Sequence, residues 1–120
     1  MTILSNQELH YIAMNYIGNL LKDLEFEFIA INSELKKHPQ FVCVNKQNQL
    51  HFVLVKYVLY PENPTEYDAV FVQSFVNHAR SKNAKVWYAG VGLANANHIE
   101  NPLYQEEDYI IQFIDFEKFS

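Results

Sequence analysis

Leu50-His51-Phe52-Val53-Leu54-Val55-Lys56-Tyr57-Val58-Leu59 is the stretch on which the fold turns. Ten residues without Gly or Pro, rich in β-branched and aromatic side chains, predict one long strand. Side chains alternate along it, so Leu50, Phe52, Leu54 and Lys56 share one face while His51, Val53, Val55 and Tyr57 share the other. Lys56 is the single charge that interrupts the apolar run.

Upstream, Phe41-Val42-Cys43-Val44 predicts a shorter strand, and the polar Lys46-Gln47-Asn48-Gln49 a turn that hairpins it onto the long one. Phe26 to Asn32 alternates as a further strand. Before it, Ser5-Asn6-Gln7-Glu8 reads as a capping box with Leu4 and Leu9 as the hydrophobic staple. Leu9, Ile12, Ala13, Tyr16, Ile17, Leu20, Leu21 and Leu24 then follow a helical stripe, which places a helix at about 6–24. Downstream, the prolines of Tyr60-Pro61-Glu62-Asn63-Pro64 deny a helix. Thr65 to Asp68 resembles a cap, and Val72, Phe75, Val76 and Ala79 carry a second helix to about 82. Val86 to Ala89 predicts a strand closed by Gly90 and Gly92. An Asn-rich loop is expected over 94–108, a last strand from Tyr109 to Ile114, and a short tail from Phe116 to Ser120. The order α-β-β-β-α-β-β describes an α/β fold with a mixed sheet flanked by helices.

At 120 residues the chain suits one domain, 1–120, and its 49% apolar content suffices for a core without metal or disulfide staples. A membrane span needs roughly 20 consecutive apolar residues, and none is present. Met1 to Gln7 has neither the basic nor the apolar region of a secretory signal. The lone Cys43 cannot form an internal disulfide, which suits the cytoplasm. Fourteen acidic residues against nine basic give a formal charge of -5, which disfavours nucleic acid as a partner. The many aromatics leave room for a protein partner or a homodimer.

Three stretches carry a resemblance. Phe26-Glu27-Phe28-Ile29-Ala30-Ile31-Asn32, Gln40-Phe41-Val42-Cys43 and Phe52-Val53-Leu54-Val55-Lys56 align without gaps to the corresponding elements of the YraN family. That family is similar to Holliday-junction resolvases and has the restriction-endonuclease-like PD-(D/E)XK fold. The resemblance implies a three-layer α/β/α domain. In such nucleases an Asp and a Glu hold a divalent metal and a Lys stabilises the attacking water. Here Phe41 falls at the Asp position and Leu54 at the Glu position, so only Lys56 survives of that motif. Mg²⁺ needs oxygen ligands, usually at least one or two carboxylates, and without the metal the attacking water is not activated. The expected role is thus a catalytically inactive binding or scaffold module. The enzyme alternative is a nuclease whose acids have been relocated to Glu34, Glu66 or Asp68.

A second resemblance is to short Bacteroidetes proteins that carry the name of the NADH-binding component of the Na⁺-translocating NADH-quinone reductase. It rests on His38-Pro39-Gln40-Phe41-Val42-Cys43-Val44, Val58-Leu59-Tyr60-Pro61 and Ala89-Gly90-Val91-Gly92-Leu93-Ala94-Asn95. The [2Fe–2S] centre of that component takes four thiolates, and this chain has Cys43 alone. The resemblance implies at most an accessory role beside such a reductase, with no redox cofactor.

Other constellations read as structural. Gly90-Val91-Gly92 lacks the third glycine of a dinucleotide loop, Asn95 standing in its place. His10, His38, His51, His78 and His98 show no zinc-like spacing. Cys43 reads as an inert core thiol, and Tyr57, Tyr60, Tyr67, Trp87 and Tyr88 as packing residues.

Overall fold

The computed structural model describes residues 2–119; Met1 and Ser120, the last residue of the expected tail, lie outside it. The elements are α1 (Asn6–Asp23), β1 (Glu27–Ile31), β2 (Phe41–Val44), β3 (Leu50–Leu59), α2 (Ala69–Ser81), β4 (Lys85–Asn95), β5 (Tyr109–Gln112) and β6 (Glu117–Phe119).

Local chemistry sets most of these boundaries. The Ser5 hydroxyl accepts from the Glu8 N–H at 3.1 Å, and the Glu8 carboxylate accepts from the Ser5 N–H at 2.9 Å. This is the capping box expected from the sequence, and it satisfies orphan donors at the start of α1. Asp68 caps α2 by accepting from the Phe71 N–H at 3.1 Å. In the β2–β3 hairpin the Asn45 side chain accepts from the Gln47 and Gln49 N–H groups, and Asn48 takes the left-handed conformation with φ 62°.

The sheet runs β1-β2-β3-β4-β5, with β6 beside the first half of β4. All neighbours are antiparallel except β3 and β4, which are parallel from His51/Lys85 to Leu59/Leu93 and are joined through α2. Strand parity divides the core. Phe41, Cys43, Val53, Val55 and Val91 pack with Leu9, Ala13, Ile17 and Leu21 of α1. Phe52, Leu54, Val86 and Tyr88 pack with Val72, Val76 and Ala79 of α2. The helices therefore lie on opposite faces of the sheet, giving a mixed α/β domain in three layers. No helix among the described residues is long and apolar enough to cross a membrane.

The second half of the chain departs from expectation. β4 does not close at Gly90 and Gly92 but runs through both to Asn95. Neither glycine has a positive φ, so neither is there to turn the chain. A Cβ on Gly90 would lie 1.7 Å from the Pro64 carbonyl oxygen. Gly90 is required because the loop after β3 crosses β4 at that point, a long-range reason that local sequence does not display. The expected tail holds β6, and the strand expected to reach Ile114 ends at Gln112. The Asn-rich segment is organised by buried Asn95, whose side chain accepts from the Asn97 and His98 N–H groups and donates to the Pro102 carbonyl. β1 forms a sheet edge and leaves Ile29 and Ile31 exposed. Cys43 is fully buried, and burial pushes its thiol up to about 12.

Candidate functional site

β3 is longer than its neighbour β2, and the site follows from that mismatch. β2 pairs only with Leu50 to Val53, whereas β4 accompanies β3 as far as Leu59. Where β2 begins, Gln40 brackets Leu54: its backbone N–H donates to the Val53 carbonyl at 3.1 Å and its side-chain oxygen accepts from the Val55 N–H at 2.7 Å. The Gln40 amide nitrogen donates to the Lys37 carbonyl at 3.1 Å and lies 2.8 Å from His38 Nδ1. Gln40 is buried, and these bonds offset the cost of taking a polar amide out of water.

Beyond Gln40 opens a cavity of about 580 Å³. Its walls are the second half of β3, the loop between β1 and β2, and the starts of α1 and α2. Leu35, Leu54, Val58 and Phe71 supply apolar surface; His10, Lys56, Glu62 and Asp68 supply polar groups. A mostly apolar recess with a few convergent polar groups is the usual form of a ligand site.

The residues singled out in the sequence fall unequally around it. Leu54 and Lys56 both line the cavity. Phe41 does not; it packs on the α1 side against Phe28, ring centroids 5.4 Å apart, while Leu54 belongs to the α2 side. The side chain that reaches Leu54's neighbours from the start of β2 is Gln40. Of the three candidate relocated acids, Asp68 lines the cavity and Glu34 and Glu66 do not. Asp68 is already engaged as the α2 cap. Glu62 lines the cavity too, and its position in a proline-flanked loop gives no sign of this. Among the described residues, no group of three or more His, Cys, Asp or Glu is placed to hold a metal ion.

His10 is the residue that sequence reasoning misses. It is only 2% exposed, it lines the cavity, and its Nε2 has no hydrogen-bond partner. Desolvation, and secondly the charge of nearby His38, lower its pKa from the ordinary 6.5, so the ring is neutral at pH 7. A signal exists: His10, Met14, Ile17 and Leu21 are spaced as one face of a helix, and all four are buried. Lys56 is exposed and outside any ion pair, the one salt bridge among the described residues being Lys46 with Glu25. Burial pushes the Tyr88 phenol up to about 12, so Tyr88 acts there as a neutral hydroxyl. Such a set can donate and accept hydrogen bonds to a ligand. It contains no cysteine or serine nucleophile, Cys43 being fully buried in the core beneath α1 and absent from the lining.

One protein family model, described as a domain of unknown function (DUF8840), matches residues 7–119. No curated protein and no solved structure gives a significant match.

Proposed function

The chain belongs to the DUF8840 family, and we propose that it is a binding domain of nuclease-like layout that has no nuclease chemistry. The observation that carries this reading is the wall beside Lys56. On the nuclease resemblance Leu54 stands where a carboxylate would reach an ion, and the Gln40 amide next to it is spent on the Val55 N–H and the Lys37 carbonyl. A Mg²⁺ site built on one or two carboxylates would have to draw on Asp68 and Glu62. Asp68 caps α2, and turning its carboxylate toward an ion would forfeit a cap worth about 1 kcal/mol. The cavity, with apolar walls and few polar groups, suits a ligand held by shape and hydrogen bonds.

Isothermal titration with Mn²⁺ tests the claim. A binding domain of this kind gives no saturable heat. Stoichiometric binding in the low micromolar range that is abolished in Asp68→Asn would establish a nuclease-type centre with relocated acids and overturn the proposal.

A further inference from the structure

The second half of β3 carries backbone groups that no other part of the described chain uses. Along a strand, the N–H and C=O of successive residues point alternately to the two sides. Tyr60 N–H donates to the Leu93 carbonyl, so even-numbered residues face β4. Val53 C=O and Val55 N–H face the opposite way, toward Gln40. By the same alternation Tyr57 and Leu59 also face away from β4. Glu62 N–H takes the Leu59 carbonyl. That leaves Val55 C=O, Tyr57 N–H, Tyr57 C=O and Leu59 N–H without a hydrogen bond among the described residues, since β2 pairs no further than Val53.

These groups run along the wall of the cavity, which Val55, Tyr57 and Leu59 all line. The ring of His10, buried on α1, lines the same space.

We propose that the cavity takes an extended peptide segment of a partner protein, which adds as a strand to the free edge of β3. The proposal rests on the reading of the chain as a binding domain. A peptide backbone presents donors and acceptors at the same two-residue repeat, about 6.6 Å, as the free edge, and strand addition of this kind draws affinity from main-chain bonds. The charges around the cavity are Lys36 and Lys56 against Glu62 and Asp68. Balanced charge in a chain of net -5 selects an uncharged backbone over a phosphate strand. Leu35 and Phe71 offer apolar contacts on either side for alternate side chains of the peptide. A single unfolded segment of about five residues, spanning roughly 13 Å, matches Val55 to Leu59.

A phage library of random nonapeptides panned against the immobilised full chain identifies the probe, and the most enriched peptide is then synthesised. Amide hydrogen exchange of the wild-type chain, followed by NMR, should slow at Tyr57 and Leu59 by at least about 10-fold at saturation and stay unchanged along β1. Tyr57→Pro deletes the free N–H without touching the β4 ladder and should weaken binding by about 10-fold or more; the exchange measurement needs no variant. The proposal fails if no peptide is enriched, if protection falls on other amides, or if Tyr57 and Leu59 become protected by the chain's own concentration. Silence toward Mn²⁺ together with a failed panning would sink the peptide proposal and leave the parent reading standing.

Discussion

Replacing Gly90 with alanine adds one methyl group where β4 passes beneath the loop after β3. The added Cβ would sit 1.7 Å from the Pro64 carbonyl oxygen and 2.8 Å from its carbon. Ordinary contact between heavy atoms is roughly 3.5 Å, so loop and strand must part by about 2 Å. Backbone lies on both sides of the clash, so no side chain can rotate away. β4 is held by β3 on one side and by β5 and β6 on the other, which makes the loop the part that yields. Moving it breaks Tyr60 N–H to Leu93 O and Glu62 N–H to Leu59 O, each worth about 1 kcal/mol net. With the usual cost of overpacking, about 1–3 kcal/mol, the expected destabilisation is at least about 3 kcal/mol. Gly90 has no positive φ, so backbone conformation adds nothing. Urea unfolding followed by Trp87 fluorescence measures it; at a slope of about 1.5 kcal/mol/M the midpoint should fall by about 2 M. Gly18→Ala is the control. Its Cβ would meet only the Phe41 ring at 3.3 Å, while a helix gains about 0.5–1 kcal/mol from alanine over glycine, so its net change should be near zero. A loss below about 1 kcal/mol at Gly90, or equal losses at both glycines, would refute the steric argument.

Gln40→Ala strands the Val55 N–H and opens a buried gap, and should cost about 3 kcal/mol in urea unfolding; a change under about 1 kcal/mol would mean that the side-chain bonds do not hold the end of β2. His10 and His51 are both held below the histidine value of 6.5, burial being the first cause in each. The unfolded chain therefore binds these protons more readily, so their contribution is complete above about pH 6.5 and is lost as pH falls from there through the folded values. Unfolding midpoints at about pH 7.5 and about pH 5.5 should differ, the acidic one being lower, and equal midpoints would contradict the assignment of both rings as buried and neutral. Cys43, with its thiol pushed up to about 12, should react with an aromatic disulfide at least about 100-fold more slowly in the native protein than in urea; comparable rates would place it outside the core.

The parts of the fold legible in the sequence are those fixed by near neighbours. Ser5 and Glu8 act on each other's backbone three residues apart, and β3 shows its type through ten consecutive residues. Gly90 misleads because glycine at a strand end ordinarily signals a turn, while its cause here is Pro64, distant in the chain. β6 is three residues long, two of them charged, and pairing with β4 rather than propensity makes it a strand. At the site, Lys56 is visible as a charge inside an apolar run. Gln40 and Glu62 are not, because nothing local distinguishes a polar residue that faces a cavity from one that faces water. His10 lies on a readable stripe, but its missing hydrogen bond is a property of the packed structure alone.

Thermal unfolding with and without Mn²⁺ discriminates the proposed metal-free binding cleft beside Lys56 from a nuclease-type centre. A metal bound only by the native state with Kd of about 10 μM would, at about 1 mM, add about 2.7 kcal/mol of stability. For a domain of this size that raises Tm by roughly 10 °C. A cleft without a metal centre gives the same Tm in Mn²⁺ and in chelator, within about 1 °C. A rise approaching the full shift, lost in Asp68→Asn, would contradict it.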